Sequence, residues 1–83
     1  MIKDRIACPC CGFLTLESYG HFDLCEVCFW EDDLLQRVQP DYGGGANVPC
    51  LNEARENFRA FGACEREALE CVRPPIPEEK GFA

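Results

Sequence analysis

The clearest hydrophobic periodicity lies in the second half of the chain and predicts an α-helix. Its apolar positions recur at intervals of three and four residues: Leu51, Ala54, Phe58 and Phe61. This spacing places them on one helical face, and the helix is expected to run from about residue 49 or 50 to residue 61. Gly62 follows, at the position where a left-handed residue commonly ends a helix. A second helix is expected over about residues 63–72.

The first half of the chain predicts two short strands and one short helix. Residues 13–16 are apolar or β-branched and are expected to form a strand, followed by a turn at 17–20 and a returning strand at 21–24. Residues 29–38 are expected to be helical, because acids at the start and Arg37 near the end suit the helix dipole.

Two segments are expected to contain neither helix nor strand. Residues 41–47 carry three consecutive glycines, but the Gly-Lys-Ser/Thr signature of a phosphate-binding loop is absent. We therefore interpret them as a flexible connection. Residues 73–83 are rich in proline and are expected to follow an extended path.

The length of 83 residues predicts a single domain, residues 1–83, and small domains of this size tend to add a staple to a modest core. Eight cysteines supply material for one, either as disulfides or as metal ligands. The N-terminal residues do not resemble a secretory signal, and no segment is apolar enough to span a bilayer. We therefore expect a cytoplasmic protein without membrane contact, in which thiols stay reduced and bind metal.

Two Cys-x-x-Cys pairs have the spacing of a zinc site. The four predicted ligands are Cys8, Cys11, Cys25 and Cys28, with 13 residues between the pairs. Two intervening residues let a tight turn direct both sulfurs at one ion, and Gly12 can supply the positive φ that such a turn needs. Four thiolates close the coordination shell, so the predicted zinc is structural rather than catalytic.

The remaining thiols and the single histidine have less specific interpretations. Cys10 could replace a neighbouring ligand or stand beside the metal as a free thiol. Cys50, Cys64 and Cys71 are interpreted as small buried hydrophobic residues, with a disulfide to Cys50 or a weak second metal site left open. His21 is expected to lie on the surface.

Charge indicates the kind of partner. The formal net charge is −7, and residues 17–41 carry seven acidic residues against Arg37 alone. Binding to a nucleic acid depends on Lys and Arg displacing counterions, so a nucleic-acid partner is not expected. A basic protein surface is the better electrostatic match.

The segment after the last predicted ligand is the candidate contact with that partner. Trp30 could serve as an interaction anchor or could cover the metal site. The three acids that follow, Glu31, Asp32 and Asp33, would add charge to the contact. They could also form a cation or acid–base site, although a solvated helix start is the simpler interpretation.

Several segments together resemble the cysteine-rich CPCC family of small bacterial proteins. They are CPCCG at 8–12, CEVCFWEDD at 25–33, LNEARENF at 51–58 and VRPP at 72–75. The resemblance implies a bacterial source and a compact zinc-ribbon-like unit followed by helices, and it implies no particular reaction. The family tends to have Ser where this chain has Cys50, so the capping box with Glu53 is expected to lose its hydroxyl.

The expected fold is a small α+β domain in which a zinc-ribbon-like β-hairpin with two CxxC knuckles packs against two or three short helices. The favoured function is a small acidic, zinc-stabilised protein-binding module, an adaptor or inhibitor such as an immunity protein or antitoxin. The alternatives are a metal-dependent hydrolase using Cys10, His21 or the acids, and a thiol or zinc redox sensor acting through Cys10.

Overall fold

The computed structural model describes residues 5–80 as a small α+β fold. Two strands, β1 (Ile6–Ala7) and β2 (Leu14–Leu16), pair antiparallel. Two α-helices follow, α1 (Leu34–Val38) and α2 (Leu51–Phe61). Short 3₁₀ turns lie at Arg66–Ala68 and Pro77–Lys80. Within residues 5–80, no helix has the length and apolar character needed to cross a bilayer.

The hairpin exists, but its strands are not the ones that the sequence predicts. The strand at 13–16 is confirmed as β2, whereas its partner is β1, which precedes it, and not residues 21–24. Residues 21–24 contribute only an isolated bridge between Leu24 and Glu31. Phe22 has a φ of 56°, outside the extended region that a regular strand needs. The two CxxC pairs are therefore joined by β2 and an irregular loop.

Helix α1 is half as long as predicted. The expected helical start at 29–33 is wrong, because Phe29 has a φ of 71° and Glu31 pairs with Leu24. The helix begins only after Asp33, whose carboxylate accepts a hydrogen bond from the Gln36 N–H at 3.2 Å. Asp33 is thus the N-cap, a role that its side chain suits well.

Helix α2 matches its prediction closely. Leu51 and Ala54 are buried, Phe58 and Phe61 pack against the core, and Gly62 ends the helix with a φ of 90°. Its capping box is present although the N-cap residue is a cysteine, so the expected loss of the hydroxyl does not remove it. The Cys50 sulfur accepts from the Glu53 N–H at 3.4 Å, and the Glu53 carboxylate accepts from the Cys50 N–H at 3.3 Å.

The prediction of a second helix at 63–72 is wrong. Within this segment, Arg66–Ala68 form a short 3₁₀ turn and the rest is irregular. The Cys64 N–H donates to the carbonyl of Cys28 at 2.8 Å instead of entering a helix. The Cys64 carbonyl accepts from the Asn57 side chain of α2 at 2.8 Å. This segment therefore ties α2 to the second CxxC pair, and tertiary hydrogen bonds override its local helix propensity.

The loop predicted as a flexible connection is instead packed against α1. The Ala46 N–H donates to Asp33 at 2.9 Å, and the Asn47 side chain pairs with the backbone of Glu31 in both directions at 2.7 and 2.9 Å. Gly45 passes so close to α1 that an added Cβ would lie 2.7 Å from the Asp33 carboxylate. A glycine is required there for space.

The proline-rich segment ends in a buried ion pair rather than remaining extended throughout. Arg73 donates to both carboxylate oxygens of Glu79, at 2.7 and 2.8 Å, and Glu79 also accepts from the Ile76 N–H at 3.0 Å. Glu79 is buried, while the Arg73 side chain remains partly exposed and also contacts Glu26 at 3.2 Å. The pair holds the end of the described chain against the second CxxC pair.

We expect Glu79 to titrate below the ordinary glutamate value. The Arg73 guanidinium lowers the pKa of Glu79, so its stabilising contribution is complete above the unfolded-state pKa of about 4.3 and is lost as pH falls through the lower folded-state pKa. A carbon-detected NMR titration of the carboxyl group measures this midpoint. In Arg73→Met the midpoint should rise, because burial then favours the neutral acid. An unchanged midpoint in that variant would show that Arg73 is not the cause.

Candidate metal centre

The first CxxC pair lies on a tight turn between β1 and β2. The Cys8 N–H donates to the Phe13 carbonyl, and the Gly12 N–H donates to the Cys8 carbonyl, each at 2.8 Å. Gly12 has a φ of 83°, as the sequence predicts for this position. These two bonds close the turn so that the cysteine side chains project from its inner side.

The second CxxC pair repeats the same hydrogen bonds at the same spacing. The Cys25 N–H donates to the Trp30 carbonyl at 2.9 Å, and the Phe29 N–H donates to the Cys25 carbonyl at 2.8 Å. Phe29 therefore takes the place of Gly12, and its φ of 71° is strained for a residue with a bulky side chain. The two turns are local repeats of one knuckle, residues 8–13 and 25–30.

The two knuckles bring all four predicted cysteines together. Their sulfurs lie within 4.8 Å of one another. Cys8 and Cys28 are separated by 3.6 Å between sulfurs, and Cys11 and Cys25 by 3.7 Å. A four-coordinate ion with metal–sulfur bonds of about 2.3 Å places its ligands about 3.8 Å apart. The sulfur positions therefore fit a tetrathiolate metal site.

Ionisation of this cluster is unequal because four thiols share one small space. The pKa of Cys25 is lowered, since neighbouring thiols stabilise its thiolate: chiefly Cys11, whose sulfur lies 3.7 Å away, and then Cys28 and Cys8. The pKa of Cys11 is raised chiefly by its bond to Cys25, and that of Cys28 chiefly by Cys10. Further negative charge is unfavourable here without a cation. A bound divalent ion would supply the compensating charge.

Groups around the cluster orient its sulfurs. The Thr15 hydroxyl of β2 donates to the Cys25 sulfur at 2.9 Å, and the Cys28 N–H lies 3.4 Å from the same atom. Such donors to a thiolate stabilise its charge and fix its position. Helix α2 also contacts the first knuckle, where the Arg55 side chain donates to the Pro9 carbonyl at 2.8 Å.

The cysteine cluster forms the centre of the hydrophobic core rather than an appendage to it. Cys25 and Cys28 have no exposed surface, and Cys8 is 1% exposed. The buried residues that share the same cluster include Leu16, Val27, Trp30, Leu51, Ala54 and Ala63. Loss of the metal site would therefore open the core of the protein.

The other four cysteines lie outside this ligand set. Cys10 and Cys64 are buried close to it, and burial raises the pKa of Cys64 to about 12. Cys50 is buried as the cap of α2, but Cys71 is exposed, so its predicted burial is wrong. All eight cysteines lie in the described part of the chain and none forms a disulfide. His21 is exposed, as predicted, and its ring contacts Ser18 at 3.0 Å.

The predicted contact segment is used largely inside the fold. Trp30 and Asp32 have no exposed surface. Trp30 lies in the same buried cluster as Cys8, Cys25 and Cys28, which fits the interpretation that it covers the site, whereas burial of Asp32 departs from the expected solvated helix start. Asp32 accepts from the Gly20 N–H at 2.6 Å and lies 3.7 Å from Arg37. Glu31 and Asp33 keep partial exposure. The sequence predicts all four residues at the start of one helix. In the structure, Trp30 belongs to the second knuckle and its side chain is buried.

Comparison with known proteins identifies a family that covers most of the chain. The family model described as cysteine-rich CPCC matches residues 6–79, nearly all of the chain. No curated protein matches the sequence. Because the match covers both knuckles, α2 and the Arg73–Glu79 pair, the chain belongs to the cysteine-rich CPCC family.

Proposed function

We propose that the protein is a zinc-stapled module that binds a basic surface of another protein. The convergence of four buried or partly buried cysteine sulfurs, at separations of 3.6 and 3.7 Å, is the observation that carries the zinc assignment. Structural zinc sites use four such ligands. A reducing compartment keeps thiols free for metal binding, which supports a place in the cytoplasm.

The role of zinc is to hold the fold together. Four protein ligands leave no coordination position for a water molecule or substrate, unlike catalytic zinc sites with three. The Cys8, Cys11, Cys25 and Cys28 thiolates would hold the ion, and Thr15 would support Cys25 from outside the shell. The position of the cluster within the core supports the same role.

A protein-binding role is supported by size and charge. A chain of 83 residues with a net charge of −7 attracts positively charged surfaces over distances of about a Debye length. An adaptor, or an inhibitor that shields a basic enzyme in the manner of an immunity protein or antitoxin, uses such attraction to speed association.

Cobalt substitution tests the zinc staple. We expect one Co²⁺ per chain with the intense thiolate charge-transfer bands of a tetrahedral four-sulfur site, unchanged by added azide because no position is open. Native mass spectrometry should give one zinc per chain in the protein as purified. A spectrum that changes with azide would contradict the structural role and favour a hydrolase.

Native mass spectrometry of the tagged protein from its own host tests the binding role. A stoichiometric basic protein, released as salt concentration rises, is the expected result. A zinc-loaded protein that carries no partner at low salt would contradict the binding role and leave the zinc assignment intact.

A further inference from the structure

Helix α1 exposes its apolar side chains and buries a polar one. Leu34, Leu35 and Val38 are 56%, 42% and 59% exposed, whereas Gln36 has no exposed surface. A short amphipathic helix on a small domain ordinarily does the opposite. The inversion needs a physical cause, and it leaves an apolar face without a covering element among the described residues.

The three apolar side chains form one continuous face. At about 100° per residue, Leu34 and Val38 differ by about 40° around the axis, and Leu35 lies about 60° beyond Val38. At the same 100° per residue, Gln36 lies about 150° around the helix axis from the middle of this face. We call these three residues the α1 surface.

Hydrogen bonds prevent α1 from turning this surface inward. The Gln36 amide nitrogen donates to three backbone carbonyls at N–O distances of 3.0 to 3.2 Å: those of Tyr42, Asn47 and Pro49. The Gln36 side-chain oxygen accepts two further bonds from Asn47. Rotation of the helix would break all of these bonds, so the outward orientation of the α1 surface is built into the fold.

We propose that the α1 surface docks a segment of another protein whose apolar side chains are flanked by Lys or Arg. This proposal rests on the proposed function and specifies where the partner binds. Exposed aliphatic side chains grouped on one helix face are typical of a recognition surface.

Charge around the α1 surface selects a basic partner. The residues from 31 to 48 carry four acids and one base. That base, Arg37, is already engaged, because it lies 3.7 Å from the buried Asp32 and stacks 4.4 Å above the Tyr19 ring. The remaining acids are Glu31, Asp33 and Asp41. The pKa of Asp33 is lowered by the Ala46 N–H, which keeps its carboxylate charged.

The same charge disfavours a second copy of this chain as the occupant. Two α1 surfaces brought together would place their flanking acids side by side on chains that each carry a net charge of −7. Like charges facing one another across an interface oppose association. A partner segment with apolar side chains and flanking Lys or Arg could contact both the apolar α1 surface and the nearby acidic residues.

NMR titration of the full zinc-loaded chain with designed peptides tests the proposal. One helical peptide carries leucines on one face with flanking lysines, and the second carries glutamates in place of the lysines. We expect the lysine peptide to shift the amide resonances of residues 34–38, and the glutamate peptide to bind at least about tenfold more weakly. Leu34→Ser with Val38→Ser should weaken lysine-peptide binding at least about fivefold.

Leu69→Ser is the matched control, because Leu69 is 41% exposed and lies outside the α1 surface. Its affinity should stay within about twofold of the wild type. Binding that survives the double substitution, or shifts confined to acidic residues outside residues 31–48, would overturn this surface and retain a basic partner. Absence of binding would count against both proposals. Self-association abolished by the double substitution would identify a second copy as the occupant and overturn this proposal.

Discussion

Replacement of Cys25 by serine is expected to abolish metal binding and unfold the protein. Cys25 has no exposed surface, and its sulfur lies 3.7 Å from that of Cys11. Metal binding contributes about 10–16 kcal/mol in small zinc domains, whereas a whole domain is stable by only about 5–15 kcal/mol. Loss of one thiolate at the centre of the core therefore removes more free energy than the remaining contacts can replace.

Metal analysis and far-ultraviolet circular dichroism measure this result. The Cys25→Ser protein should carry no stoichiometric zinc and should lose cooperative thermal unfolding. Cys71→Ser is the matched control, because the Cys71 thiol is exposed, and it should retain both properties. A strong chelator should unfold the wild-type protein in the same way. A Cys25→Ser protein that melts cooperatively near the wild-type temperature would show that the apolar core is sufficient without metal.

The parts of the fold that sequence predicts well are those whose signals are local. Helix α2 has an apolar stripe, a cap at Cys50 and a left-handed stop at Gly62, all within 13 residues. The knuckles are equally local, since each closes through hydrogen bonds between residues four or five apart. Cysteine spacing was therefore enough to predict that Cys8, Cys11, Cys25 and Cys28 lie close together.

The errors arise where backbone groups bond to distant segments. Residues 63–72 have helical propensity, but the Cys64 N–H is taken by Cys28 and the Arg73 N–H by Glu26. Residues 21–24 resemble a strand, yet β2 already has a partner in β1. Neither of these long-range interactions can be recognised from the sequence of the segment that it alters. The helix propensity of residues 63–72 and the strand propensity of residues 21–24 are outweighed by tertiary contacts.

Burial of polar residues was the least predictable property. Asp32 and Gln36 belong to an acidic and polar stretch that ordinarily faces solvent, and both have no exposed surface. Backbone groups of residues 42–49 converge on the Gln36 side chain, whereas Asp32 accepts one hydrogen bond, from the Gly20 N–H, and lies 3.7 Å from Arg37. Sequence periodicity carries no information about such convergence. The apolar residues of α1 were left outside as a consequence.

Substitution of Gln36 by alanine should cause a large loss of stability, although Gln36 is polar and lies outside the metal site. The Gln36 amide serves three backbone carbonyls and accepts two bonds from Asn47. Removal leaves buried carbonyl groups without a donor, at about 1–3 kcal/mol for each unsatisfied group. Because the loop can relax and admit water at some of them, we expect a total loss of about 3–5 kcal/mol in the free energy of unfolding.

Urea unfolding of the zinc-loaded protein at fixed free zinc measures this loss without a contribution from altered metal occupancy. Gln39→Ala is the matched control, since Gln39 has the same side chain and follows α1 directly as its C-cap, and it should change stability by about 0.5 kcal/mol or less. Gln36→Glu keeps the shape but turns an acceptor toward carbonyl oxygens, so it should destabilise at least as much as alanine. A cost below about 1 kcal/mol for Gln36→Ala would mean that the 41–49 loop holds its position without the amide, and that the outward orientation of Leu34, Leu35 and Val38 has another cause.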